Sequence, residues 1–254
     1  MRVFVTRPES EARRWVDELR QRGIDALSFP LIAIESAPQS GPVRKSWALL
    51  ASYRAVMFVS GNAVRHFFSQ RPAGAPWPQR TRAWATGGGT SEALLEAGVA
   101  RSLVDSPPPQ SAQFDSETLW QQVAGQVIPG DAVLIVRGGD ASGQAAGRDW
   151  LADRLAAAGA RVDTVVAYVR GVPELDADQL AIARAGAIDG AWLLSSSQAI
   201  AHLQALLPAQ DWHAARAVAT HPRIAHAARR AGFGVVCESR PSVEAVVAAL
   251  ESFG

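Results

Sequence analysis

The sequence is poor in several residue types, and each scarcity excludes a class of function. It holds one cysteine, Cys237, in 254 residues, so no internal disulfide can form and no thiolate cage can hold a metal. A reducing compartment, the cytoplasm, is the expectation. No apolar run approaches the roughly 20 residues needed to cross a bilayer, and the opening MRVFVTRPESEARR turns charged too early for a signal peptide. Neither sign of charge dominates: 25 Lys plus Arg stand against 24 Asp plus Glu, a field too weak for generic nucleic-acid binding. Lysine is nearly missing, with Lys45 alone among 24 arginines. Gene base composition is enough to produce that bias; the alternative is forked recognition of carboxylates or phosphates by placed arginines. With 48% apolar and 19% charged residues the chain has an ordinary globular composition and a length that suits one or two domains.

What is present is a recurring unit. Short apolar, β-branched runs end in small polar residues, and each is followed by an alanine-rich amphipathic stretch. Val3–Val5 precedes Thr6-Arg7-Pro8, Ala55–Val59 precedes Ser60-Gly61-Asn62, and Val133–Val136 precedes Arg137-Gly138-Gly139. Ala191–Leu194 precedes Ser195-Ser196-Ser197, and Ala217–Ala219 precedes Thr220-His221-Pro222. Strand followed by helix, repeated, predicts βαβ units around mostly parallel sheets.

The chain also resembles itself at an offset of roughly half its length. RVFVTRP and its following helix align with AVLIVRG and the WLADRL helix, which sets Arg7 opposite Arg137 and Gly23 opposite Gly159. MFVSGNA aligns with WLLSSSQ, so Ser60 stands opposite Ser195, and AWATGGGT aligns with AVATHPRI, so Gly87 stands opposite His221 or Pro222. Three proline-rich breaks, at 37–42, 106–110 and 170–173, allow a tandem or an interleaved arrangement of the two copies, and periodicity does not choose between them.

In open α/β sheets ligands sit beyond the carboxyl ends of the strands, where helix N-termini offer free amide N–H groups to anions. All five polar turns occupy that position. Other catalytic equipment is scarce. The histidines lack metal-ligand spacing, with His66, His202 and His213 read as helix-surface residues, and no nucleophile elbow or paired triad occurs. Gly87-Gly88-Gly89-Thr90 follows a strand and opens a helix but lacks both the dinucleotide fingerprint and the P-loop lysine; it suits an anion-binding helix start. Tyr168, one of two tyrosines, ends the apolar run Val165-Val166-Ala167, where its hydroxyl either donates a proton to a leaving oxygen or packs at an interface. Asp115-Ser116-Glu117 reads as a helix cap and first turn. The eight tryptophans read as core.

Taken in order, these motifs resemble the uroporphyrinogen-III synthase family: VTRP at 5–8, FPLIAI at 29–34, VSGNAV at 59–64, GGGT at 87–90, DSETL at 115–119, Arg137-Gly138, Gly147-Arg148 before WLADRL, Tyr168, SSSQA at 195–199 and HPRIA at 221–225. The resemblance implies an α/β fold of two doubly wound parallel-sheet domains joined by a two-stranded connection. In it residues 1–36 join 170–254 and residues 37–169 form the second domain. It implies a lyase that cyclises hydroxymethylbilane, with loss of water and inversion of the last ring, without metal or cofactor. It further implies a cytoplasmic monomer with a small-molecule substrate bearing eight carboxylates, no nucleic-acid or membrane partner, and transient contact with hydroxymethylbilane synthase. By this reading Tyr168 is catalytic, and main-chain N–H groups at Ser60, Thr90 and Ser196 hold carboxylates. Thr6, Arg7, Asn62, Gly87, Arg137, Gly138, Arg148, Ser195, Ser197, His221 and Arg223 complete the substrate site. A two-domain protein that closes on a small anion without chemistry is the competing class.

Overall fold

Strands buried on both faces need unbroken apolar runs, and the central strands have them. In a computed structural model of the protein, which describes residues 1–108, 115–140, 142–145 and 149–253, β1 (Val3–Val5), β4 (Ala55–Phe58) and β9 (Ala191–Leu194) are buried at every position. The polar residues that follow each run are helix starts. The remaining strands are β2 (Ala26–Ser28), β3 (Ala33–Ser36), β5 (Arg82–Ala85), β6 (Val104–Asp105), β7 (Ala132–Gly139), β8 (Arg161–Gly171), β10 (Arg216–Ala219) and β11 (Val235–Glu238). Between them run α1 (Glu9–Arg20), α2 (Gly41–Ala48), α3 (Gly61–Ser69), α4 (Gly88–Glu96), α5 (Ser116–Val123) and α6 (Trp150–Ala157). The C-terminal part adds α7 (Ala177–Asp189), α8 (Ser197–Leu206), α9 (Pro222–Arg230) and α10 (Val243–Glu251).

The chain divides into two compact units, Met1–Ala33 with Gly171–Gly254, and Ile34–Arg170. The first holds a five-stranded sheet in the order β11-β10-β9-β1-β2, parallel throughout. The second holds a six-stranded sheet in the order β3-β8-β7-β4-β5-β6, in which the pairs from β8 to β6 are parallel. Parallel strands need helical crossovers, which is why helices cover both faces.

The two sheets obey one pattern. In the first unit β1 pairs with β9 through Val5 and Leu193; in the second β7 pairs with β4 through Val136 and Phe58. The leading βαβ of each sequence copy therefore lies beside the later strands of the other copy. Gly23 and Gly159, aligned in the repeat, both stand at positive φ, 79° and 81°, where the chain turns out of α1 and α6 through the left-handed region that glycine enters without penalty.

Two of the sequence-marked breaks are partly regular. Gly41-Pro42 open α2, proline being tolerated at a helix start, and Arg170-Gly171 extend β8. Pro109 and Gln110 of the third break lie outside the described residues. Each unit has its own core. In the first, Trp15, Leu19, Leu193 and Val246 pack together. In the second, Phe58, Phe67 and Leu134 fill one face of the sheet, and Met57, Trp84 and Leu155 the other.

Candidate active site

Strand order alone marks where a ligand can enter. The first sheet reverses direction between β1 and β9, and the second between β7 and β4. At such a switch point the loops leaving the two strands run to opposite faces and open a crevice at their carboxyl ends. Thr6 and Arg7 follow β1, and Ser195–Ser197 follow β9. Ser60-Gly61-Asn62 follow β4, and Arg137-Gly138 close β7. Chain topology thus brings four of the five polar turns to the two switch points, and the fifth, Thr220-His221-Pro222, leaves β10 on the far side of β9 from β1.

In the second unit Tyr168 reaches the β7–β4 switch point with its hydroxyl. Its ring is fully buried, yet its hydroxyl lies 3.1 Å from Ser60 Oγ and accepts an N–H from the Arg170 guanidinium at 3.0 Å. The Arg170 guanidinium also stands 5.7 Å from the centre of the Tyr168 ring. The ring fits because Gly138 has no side chain: a Cβ there would fall 2.5 Å from Tyr168 Cζ. The β7–β8 register slips at this point, with Arg137 opposite Val166 and Gly138 opposite Tyr168. That irregularity aims the tyrosine at β4.

Around it the α3 and α4 starts carry polar groups. Ser60 caps α3 by accepting the Ala63 N–H at 3.2 Å, and buried Asn62 Oδ1 accepts from Arg65 at 2.9 Å. Gly87 precedes α4 with an extended backbone. Thr90 does not fit its expected part, because its N–H donates to the Gly87 carbonyl at 3.1 Å. The N–H groups an α-helix leaves without an intrahelical acceptor are those of its first residues, here Gly88 and Gly89, beside which a Cβ would meet nothing within 4 Å. Arg137 is buried and bonded to Asp149. Gly147 and Arg148 lie outside the described residues.

In the first unit Thr6 is buried, and its hydroxyl donates to the Leu193 carbonyl at 2.7 Å, tying the end of β1 to β9. Arg7 pairs with Glu11 at 3.1 Å and lies 4.6 Å from the centre of the Trp15 ring. Burial pushes its guanidinium below the usual arginine value, and Glu11 opposes the shift. Ser196 caps α8 by accepting from Gln198 at 3.1 Å. Its neighbours Ser195 and Ser197 are half-buried, and Ser197 Oγ has no hydrogen-bond partner among the described residues. His221 caps α9, its Nδ1 accepting the Arg223 N–H at 3.1 Å, so a neutral ring carries its proton on Nε2. Both residues are exposed.

Two residues near Tyr168 stand apart from the sequence reading. Arg170 belonged to a break, and His66 to a helix surface. His66 instead turns its ring to Tyr168, with centroids 5.8 Å apart, and its Nδ1 lies 3.3 Å from Ser36 Oγ. Burial, aided by Arg65, lowers its pKa from the ordinary imidazole value. The period of α3 puts His66 four residues after Asn62 and on the same face, a signal that was available. His213 sits in a turn rather than a helix, while His202, on α8, contacts the Leu31 carbonyl at 2.6 Å. Among the described residues no three His, Cys, Asp or Glu side chains gather as metal ligands, and no helix is long and apolar enough to cross a membrane.

Comparison with known proteins decides the family. The family model described as Uroporphyrinogen-III synthase HemD matches residues 13–248. The chain belongs to the uroporphyrinogen-III synthase family. Uroporphyrinogen-III synthase of Salmonella typhimurium is 28% identical over 240 residues, which cover 92% of each chain. That of Chlorobaculum parvum is 33% identical over 142 residues, a match spanning 54% of this chain and 52% of its relative. Two solved uroporphyrinogen III synthases share the two-domain α/β fold. The Helicobacter pylori enzyme has a TM-score of 0.60 at 17% identity over the whole of both chains. A mutant of the Thermus thermophilus enzyme has a TM-score of 0.56 at 19% identity, over 99% of this chain and 98% of that one. Membership makes the chain a lyase of tetrapyrrole biosynthesis.

Proposed function

We propose that this member of the family closes hydroxymethylbilane to uroporphyrinogen III, with Tyr168 the source of the proton that the departing hydroxyl takes with it. The observation that carries this reading is the Tyr168 hydroxyl held between Ser60 and Arg170 at the β7–β4 switch point. A phenol so held can give up a proton and keep the resulting charge next to a guanidinium.

The substrate's carboxylates call for donors rather than for net charge. The N-termini of α3, α4, α8 and α9, with Asn62, Gly87, Thr90, Ser195, Ser196, Ser197, His221 and Arg223 near them, supply amide N–H groups and side-chain donors. Thr6 and Gly138 shape the floor of each crevice. Arg7, Arg137 and Arg148 are the cations we assign to carboxylate contacts. A hydroxymethylpyrrole sheds its hydroxyl readily, so the protein's main contribution is to fold the chain so that inversion of the last ring outruns direct closure. The same reading makes the chain a cytoplasmic monomer that needs no cofactor and meets hydroxymethylbilane synthase only transiently.

The test is freshly prepared hydroxymethylbilane with separation of the product isomers. Type III in excess is expected from the intact chain. Tyr168→Phe is expected to lower the turnover number about 100-fold, the low end for a general acid. Formation of the type I isomer alone, as closure without the enzyme gives, would overturn the activity.

A further inference from the structure

The Tyr168 side chain has no exposed surface. One face of its ring lies against the Gly138 backbone, where there is no room for a Cβ, His66 is tilted against it, and Arg170 stands over it. Ser60, the neighbour of the buried hydroxyl, is half-exposed at the N-terminus of α3. Either hydroxyl can donate across the Ser60–Tyr168 pair; a relay outward takes the direction from Tyr168 to Ser60. Arg170 can only donate, so it occupies one lone pair of the Tyr168 oxygen. Ser60 Oγ already accepts from Ala63. If Tyr168 donates to Ser60, both lone pairs of the serine oxygen are filled and its own proton points out of the cluster. The serine O–H is then the one donor of the group that faces outward.

We propose that Ser60 is the residue that hands the proton to the departing hydroxyl, with Tyr168 as the buried proton source behind it and Arg170 as the positioning charge. This rests on the functional reading above and deepens it. In the step, the substrate's C–O bond breaks with its electron pair on oxygen. That oxygen takes the Ser60 proton and leaves as water, while Ser60 Oγ takes the Tyr168 proton. The phenolate remains between the re-formed serine hydroxyl and the Arg170 guanidinium, and the positive charge stays on the pyrrolic methylene. Once the last ring has attacked through its substituted carbon, broken its old methylene bond and re-bonded through its free carbon, the proton that this free carbon loses returns to Tyr168 through Ser60, which restores the enzyme.

Four single variants and one double variant test the relay, with kcat and KM measured on freshly prepared hydroxymethylbilane and thermal unfolding followed in parallel. Ser60→Asn keeps a side-chain acceptor for the α3 cap but cannot pass a proton from Tyr168; kcat should fall about 100-fold with KM changed by less than about threefold. Ser60→Thr, which keeps cap and hydroxyl, should restore most of kcat. Arg170→Gln should lower kcat by a smaller factor. Ser60→Asn with Tyr168→Phe should be no slower than the slower single variant, because groups acting as one unit do not lose rate multiplicatively. In mixed light and heavy water the wild-type rate should vary with more than one proton in flight. A Ser60→Asn enzyme as fast as wild type beside a slow Tyr168→Phe enzyme would overturn the relay and leave Tyr168 acting directly. Multiplicative losses in the double variant would overturn it too. If Tyr168→Phe is itself as fast as wild type, the assignment of Tyr168 falls and the relay with it.

Discussion

His66 shows how one buried side chain ties stability to pH. Its ring is half-buried against Tyr168 and Ser36, with Arg65 its charged neighbour on α3. Desolvation, and secondarily Arg65, hold its pKa below 6.5. Below pH 6.5 the unfolded chain therefore binds a proton that the folded chain refuses, and stability falls as pH drops through the window between the two pKa values. Urea unfolding from pH 7.5 downward should show this loss, and His66→Asn should flatten that part of the profile; an unchanged slope would mean that the ring is accessible to protons. Arg170 carries a second lesson at this scale. Residues two apart on a strand share a face, so a strand continuing through Tyr168 places Arg170 beside it. Pro173, three residues on, gives the same stretch the composition of a break, which masks the strand periodicity.

The β7–β8 pair shows what an element can hide. Its apolar runs are legible as strands because both faces are buried, and helix starts are legible where a capping residue type stands just ahead of the helix, as Ser60, Asp115, Ser196 and Ser242 do before α3, α5, α8 and α10. Asp115, for instance, caps α5 by accepting from Thr118 at 2.8 Å. The register slip at Arg137-Gly138 leaves no such signature, since glycine at a strand end reads equally as a turn. Gly138→Ala should force the Tyr168 ring aside, because the new Cβ would lie 2.5 Å from Cζ and 2.9 Å from the hydroxyl. Overpacking of this kind costs about 1–3 kcal/mol, and the displaced hydroxyl should lower kcat at least as much as Tyr168→Phe does. A melting temperature and kcat both equal to wild type would show that the β7–β8 irregularity has no part in placing the tyrosine. Thr90 is the opposite case: the motif GGGT is visible, yet the turn that closes on Gly87 commits the threonine N–H and hands the open position to Gly88 and Gly89.

For the whole molecule, the cores described lie within single units: that around Phe58 draws only on residues between Ile34 and Tyr168, that around Trp84 only on residues between Ala55 and Val162, and that around Trp15 only on the two terminal segments. A fragment of residues 33–171 keeps the complete second sheet and should fold alone, with a cooperative urea transition and native-like far-UV circular dichroism. A featureless transition would show that its core depends on the rest of the chain. The sequence by itself determined the α/β class, the repeat and the polar turns, because these depend on local periodicity and on which residues cap helices. It also carried the family, through the order of its short motifs. Strand partnership was decided by tertiary structure. Val5 could serve a neighbouring strand from either copy as far as composition goes, and its pairing with Leu193 is a contact between residues far apart in the chain. Parallel strands buried on both faces are nearly uniform apolar runs, so nothing local in them names a partner. Packing across the whole sheet does, and with the partner it sets which turns meet at each switch point and where Tyr168 finds Ser60.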